Sequence, residues 1–315
     1  GGDGMLEWHS TLITNLDANG KRSITPPQFI TEPKISGSAT GDISPIHTNA
    51  IDAPVRALWD VLFSFNGNYT NQPGVETDGQ YIYTSSLSVG GIGSWFHKYD
   101  MNGNWIEDFD IAGATGIRDL AYDGQYFYGG GTYSSTIFQM DFTNKVLVGS
   151  INTSVPAIRH IAYDSQNDGF WVGGWSDLQL VDRNGSVINS GTTGLSGMDG
   201  SAYDPWTIGG PYLWIFDQGG NGVDIHQYNI ANGALTGVMH DASDIPGFVA
   251  GSSFACGLCI SNTAVPGKIA LIGNMQNDLQ TIFAYDLGGA TPWITITPTS
   301  GTLAEGTSQD IMIPI

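Results

Sequence analysis

The chain has 315 residues, 44 of them glycine; 11% are aromatic and only 13% charged. That mix suits short strands joined by tight turns and excludes a helical bundle, while 41% hydrophobic content excludes a disordered chain. Thirty acidic against ten basic residues give a formal net charge of −20, which repels nucleic-acid phosphate and anionic membranes but leaves glycans, proteins and cations as partners.

Residues 1–52 lack any strand repeat, carry several Pro, Ser and Thr clusters, and read as an N-terminal extension or linker. Within them, LDANGKRSITPPQF (16–29) matches a calcium loop at Asp17 and Asn19 only. Lys21, Arg22 and Gln28 stand where an oxygen ligand, the turn glycine and the bidentate Glu belong. Linker or edge wrapping is the better reading. No apolar run reaches membrane-spanning length and no signal peptide opens the chain, so it reads as a mature or excised piece without membrane insertion.

Residues 53–289 are organised by a repeat. An aromatic strand recurs as QYIY (80–83), QYFY (125–128), GFWV (169–172) and PYLW (211–214), with a weaker KIAL at 268–271. Ahead of the second to fourth copies stand LAYD (120–123), IAYD (161–164) and SAYD (201–204), whereas the first keeps only ETDG (76–79). Behind each copy comes a strand ending in a polar turn at Asp100, Asp141, Asp182, Asn229 or Asp286, spaced by 41, 41, 47 and 57 residues. Such a period is that of a four-stranded propeller blade. Each unit reads as strand A (IRDLAYD), B (QYFYGGG), C (TIFQMDF) and D (KVLVGSI), with Asn-Gly and Asp-Gly turns between. The fifth unit lacks strand D. WDVLFSFNGN (59–68) resembles NWIEDFDI (104–111), and is predicted to supply the missing outer strand and close the ring. The expected fold is all-β, a five-bladed β-propeller, with six blades as the alternative if residues 1–55 hide a degenerate copy.

Cys256 and Cys259, in FACGLC, have no βαβ context and no nearby zinc partners; a local disulfide or loop staple is expected. Residues 290–315 change character. PWITITPTSGTLAEGTSQDIMIPI (292–315) resembles the opening of bacterial surface Ig-like modules, with their W-x-x-x-x-P-x-S-G-T-L pattern. A sandwich needs about seven strands, so the chain is read as part of a larger multidomain protein, or its last strands pack on the propeller.

GIRDLAYDGQYFYGG and IRHIAYDSQNDGFWVG, taken with that tail, resemble the propeller region of large exported bacterial proteins of the type IX secretion kind. The resemblance implies an extracellular or cell-surface location. By blade pattern alone the propeller also resembles NHL-type and plant-type glutaminyl cyclase propellers, a likeness of fold rather than function.

In a propeller the loops before strand A and between B and C line one face, and those of this chain vary in length and content. Arg118, Arg159 and Asp199 take equivalent places at the start of three A strands, with Asp119 and His160 beside them; Trp175 and Asp217 follow B strands. Aromatics with fixed polar partners suit a sugar or peptide, because rings stack while charged groups orient hydroxyls or backbone. The plainer alternative makes the arginines inter-blade pairs, and places Trp171 and Trp214 in inter-blade packing. Asp100, Asn102, Asn104 and Asp108 form an oxygen-rich DxNxN turn, a calcium candidate that lacks a Glu at its twelfth position; no other cofactor is expected. No GxSxG, HExxH or phosphate loop occurs. The expectation is therefore a non-catalytic recognition or adhesion module, with a glycan or protein ligand at the variable-loop face. An enzyme working at the channel mouth on carbohydrate or peptide, and a rigid spacer, are the alternatives.

Overall fold

The structure, a computed structural model, describes residues 58–86, 94–131 and 133–288, together with the backbone of strands Leu6–His9 (β1) and Ser300–Leu303 (β22). The calcium-like segment 16–29 and nearly all of both termini lie outside them. β1 and β22 pair antiparallel, Leu6 opposite Leu303.

Twenty further strands form five antiparallel four-stranded sheets. Blade I comprises β3 (Gly74–Thr77), β4 (Tyr81–Ser86), β5 (Ser94–Asp100) and β6 (Trp105–Ile111). Blade II comprises β7 (Ile117–Tyr122), β8 (Phe127–Gly131), β9 (Thr136–Asp141) and β10 (Val146–Asn152). Blade III holds β11 (His160–Asp164), β12 (Gly169–Gly173), β13 (Leu178–Asp182) and β14 (Val187–Gly191); blade IV holds β15 (Met198–Asp204), β16 (Tyr212–Asp217), β17 (Asp224–Asn229) and β18 (Ala234–Asp241). In blade V, β19 (Phe254–Ser261), β20 (Ala270–Gln276) and β21 (Thr281–Asp286) are completed by β2 (Asp60–Asn66). The fold is the five-bladed propeller expected, and β2 pairs antiparallel with β21, Asp60 opposite Asp286, so the chain's own early strand covers that edge.

The core is divided between the blades. Five apolar clusters fill the five gaps, such as Tyr83, Phe96 and Phe109 against Leu120, Phe127 and Met140 between blades I and II. The gap between V and I, filled by Val75, Ile82 and Tyr99 against Ile272 and Ala284, seals the ring. A buried amide network also crosses that seam. Gln280 Nε2 donates to Asn274 Oδ1 at 2.8 Å, and the Gln72 N–H donates to Gln280 Oε1 at 3.1 Å.

The aromatic repeat has a polar cause. In the A–B turns of blades I to IV an aspartate accepts two backbone N–H groups and then the polar tip of the aromatic residue in strand B. Asp78 takes the Tyr83 hydroxyl at 3.0 Å and Asp123 the Tyr128 hydroxyl at 2.8 Å. Asp164 takes Trp171 Nε1 at 3.1 Å and Asp204 takes Trp214 Nε1 at 3.0 Å. Trp171 and Trp214 are fully buried, so each buries apolar area and satisfies a carboxylate at once. Trp214→Phe is expected to cost about 2 kcal/mol in denaturant unfolding, because it leaves a buried carboxylate oxygen short of a donor.

The cysteines depart from expectation: both are free and buried on β19. A bulge between Ala255 and Leu258 sets their side chains toward different neighbours. Cys256 Sγ lies 3.9 Å from Gln276 Oε1, whereas Cys259 faces Glu76 of the adjacent blade I. Thiols directed apart cannot meet the separation a disulfide requires.

Candidate functional site

The innermost strands run along the central channel from the variable-loop mouth, where residues 118, 159 and 199 stand, to the A–B turns. Each lies two residues before Leu120, Ile161 or Ser201, which face Gly129, Val172 and Ile215 of the next strand; Arg118 and Asp199 fall within bulges of blades II and IV, and Arg159 just ahead of an unbulged strand. Three neighbouring blades thus bring them to one place.

There Asp199 sits between two guanidiniums. Arg118 binds it side-on, with Nε to Oδ1 at 3.1 Å and Nη2 to Oδ2 at 2.7 Å. Arg159 reaches the same carboxylate through Nη2 at 2.8 Å, and Gln218 Nε2 donates to it at 2.8 Å and to the Ala255 carbonyl at 2.7 Å. Two cations against one anion leave an excess positive charge, in a chain whose formal charge is −20.

The arginines are not equal. Burial lowers the pKa of Arg118, but its bonds and charge pairing with Asp199 outweigh this and raise it overall. For Arg159 burial dominates, Asp199 offsets only part, and the neighbouring Arg118 charge adds to the depression. Arg159 is the under-partnered one: its buried Nε has no hydrogen-bond partner among the described residues. Its guanidinium carbon lies 3.3 Å from the ring centroid of Trp175, which remains 44% exposed. Stacking of this kind fixes the plane of a guanidinium while leaving its edge for an anion. Tyr133, at the blade II B–C loop, is 94% exposed.

The other sequence candidates are hydrogen-bonded to the framework. Asp119 is 1% exposed and accepts backbone N–H groups from three other blades: Ile161 at 3.1 Å, Ser201 at 3.2 Å and Leu258 at 3.3 Å. Burial holds its carboxyl well above the ordinary range. Around it the inner strands pack so closely that a Cβ on Gly257 would meet the Val75 nitrogen at 2.5 Å and Asp119 Oδ1 at 2.7 Å. This layer separates the two mouths. His160 is buried, with Nε2 3.0 Å from the Asp177 carbonyl and Nδ1 3.1 Å from Ser201 Oγ. A carbonyl only accepts, so the proton is on Nε2, and Nδ1 accepts from serine. Burial lowers its pKa to about 4, and the ring is neutral. Asp217 ties its own B–C loop to the loop before β15, accepting the Gly219 N–H at 2.9 Å and the Gly197 N–H at 2.9 Å.

Asp100, the calcium candidate, accepts the N–H groups of Asn102 (2.9 Å) and Asn104 (2.8 Å) and the Asn104 side-chain amide (2.8 Å), which makes it a turn cap. Asp108 is turned elsewhere, to His97 Nδ1 at 2.8 Å and Trp105 Nε1 at 2.7 Å. Among the described residues no three His, Cys, Asp or Glu side chains converge to hold a metal ion.

Sequence reasoning passed over the opposite mouth. A cavity of about 330 Å³ opens there among the A–B turns, with Glu76, Ser201 and Cys259 in its wall. Its one signal in the sequence was the departure of ETDG from the AYD pattern of the next three blades.

No family model matches the chain, and no curated protein matches it in sequence. Solved structures do. The chain is similar to the glutaminyl cyclase of Myxococcus xanthus, with a TM-score of 0.55 and 11% identity over 72% of this chain and 96% of that one. It is also similar to the tail fiber of a Staphylococcus aureus phage, with a TM-score of 0.51 and 15% identity over 72% of this chain and 52% of that one. At such identities the likeness is one of fold.

Proposed function

We propose that this propeller is a recognition module of an exported or cell-surface protein, and that it binds an acidic glycan at its variable-loop mouth. Arg159 carries the reading: it is a buried guanidinium that shares its counter-ion with Arg118, has an Nε without a partner among the described residues, and lies flat on a half-exposed indole. A ligand carboxylate supplies the missing anion, and a sugar ring lies against Trp175. Arg118, Asp199 and Gln218 hold the pair in place. Neither bond-making nor bond-breaking is needed for this role. His160 and Asp217, the channel-mouth groups that an enzyme would draw on, are engaged with backbone and a serine hydroxyl.

Calorimetric titration with oligouronides and with matched neutral oligosaccharides tests it. Uronides are expected to bind and neutral sugars not. Arg159→Ala should weaken binding about 10- to 100-fold, the worth of a charge-assisted hydrogen bond, with Trp175→Ala also weakening it. Equal affinity for neutral chains, an exclusive preference for acidic peptides, or release of cleaved product would each reject the proposal.

A further inference from the structure

The cavity at the A–B turn mouth has a chemistry that the repeat does not require. Glu76 pairs with Tyr83 at the register where the other blades place Ala121, Ala162, Ala202 and Ile260 opposite Tyr128, Trp171, Trp214 and Leu271. Four blades therefore put an apolar side chain at this position, and one puts a carboxyl that is only 8% exposed. Burying an acid where alanine suffices is costly, and nothing in the blade geometry calls for it.

Several hydroxyl donors of the wall are already engaged, while the buried Tyr203 hydroxyl has no hydrogen-bond partner among the described residues. The Thr77 hydroxyl donates to the Tyr81 carbonyl at 2.7 Å, Tyr122 to the Gly124 carbonyl at 2.8 Å, and Tyr163 to Asp168 at 2.9 Å. Ser201 donates to His160 Nδ1, by the tautomer assigned above. What these hydroxyls retain is lone pairs, and Glu76, Asp78 and Asp123 add carboxylate oxygens. Among the described residues no Lys, Arg or His lines the cavity. Tyr203, Trp206 and Ile260 give it apolar and aromatic wall, which suits a carbon skeleton better than a hydrated metal ion.

We infer that this mouth is a second binding site, for a small primary alkylammonium ion whose N–H donors meet Glu76 and the hydroxyl lone pairs and whose alkyl chain lies against the aromatic wall. It is independent of the variable-loop site, from which the Asp119 layer separates it.

Binding is coupled to a proton. Burial raises the Glu76 carboxyl to about 8, against hydrogen bonds from the Thr77 N–H, the Cys259 thiol and the Tyr122 N–H that lower it; Asp78 raises it further. The charged and titratable groups facing it are Asp78 on its own turn, Asp119 and Tyr122 on β7, and Cys259 on β19, all of which are themselves harder to ionise beside it or, for Asp78, add negative charge. The free site therefore holds a proton at neutral pH and the ammonium ion displaces it.

Titration of the whole chain with n-propylammonium, read by calorimetry at pH 7 and pH 9 and fixed ionic strength, tests this. The ionised fraction of a group near 8 rises from about one-tenth to about nine-tenths over that range, so affinity is expected to rise about tenfold. Glu76→Gln keeps the shape and should abolish binding and its pH dependence. Arg159→Ala should leave both intact. The stability readout has a definite sign. A carboxyl raised in the folded state holds its proton there longer than in the unfolded chain, so stability is full below the ordinary carboxyl range and falls as pH rises through 8. Glu76→Gln should therefore melt higher than the wild type at pH 9, which excludes misfolding as the reason for lost binding. Propylammonium binding that is absent, independent of pH, or retained by Glu76→Gln overturns the inference, as does preference for calcium or tetramethylammonium.

Discussion

Asp199→Ala is expected to lower the stability of the propeller by about 3–5 kcal/mol, the cost of leaving buried charge without its partner. The side chain of Asp199 is 1% exposed, and those of Arg118 and Arg159 are 13% and 10% exposed. Removing the carboxylate leaves two guanidiniums facing each other across three blades, with only the Gln218 amide between. Asp199→Asn keeps the shape and loses the charge, so it should fall between wild type and alanine. Adding Arg118→Leu to Asp199→Ala should recover part of the loss, since it removes one of the stranded cations; a double-mutant cycle in urea measures that coupling. Additive losses would show that the three groups do not act as one unit.

The second large effect concerns Asp119. Alanine there strips acceptors from the N–H groups of Ile161, Ser201 and Leu258, which belong to blades III, IV and V. An unsatisfied buried donor costs about 1–3 kcal/mol, and three of them amount to most of the net stability of a typical domain. Asp119→Ala should therefore fail to fold cooperatively, as seen by lost near-ultraviolet dichroism. Asparagine restores one acceptor oxygen but turns an amide NH₂ toward backbone donors, so it should rescue only partly. Full rescue by asparagine would mean that Asp119 does not act as the shared acceptor described.

The propeller was legible because one physical arrangement repeats. Four blades use an aspartate to cap the A–B turn and an aromatic tip to satisfy that aspartate, and this leaves the aromatic strand in four copies and the AYD signature in three. Closure by residues 59–68 was legible for a similar reason: an outer strand with blade-like sequence stood before the first repeat while the last repeat lacked one. The meeting of residues 118, 159 and 199 followed from their equal offset from the AYD motif. Their division of labour did not, because it depends on which guanidinium takes the side-on position on one carboxylate.

Other features resisted for reasons of backbone geometry. Bulges interrupt the first strand of blades II, IV and V, at Ile117/Leu120, Met198/Gly200 and Ala255/Leu258. These shifts turn Asp119 into the channel as a framework acceptor and send Cys256 and Cys259 to different neighbours. Spacing alone carries no trace of a one-residue bulge. Glu76 was passed over because a single departure from a repeat reads as a weak copy, until the structure shows what surrounds it.

The central claim, that Arg159 and Trp175 form the ligand-binding face, is tested most directly by the side-chain N–H resonances themselves. In a chain with ¹⁵N-labelled arginine and tryptophan, the Arg159 Nε–H and the Trp175 indole N–H should shift on titration with an oligouronide and saturate together. The buried Trp171 and Trp214 signals should stay still. Shifts confined to other residues, or saturation of binding without movement of Arg159 and Trp175, would contradict the account.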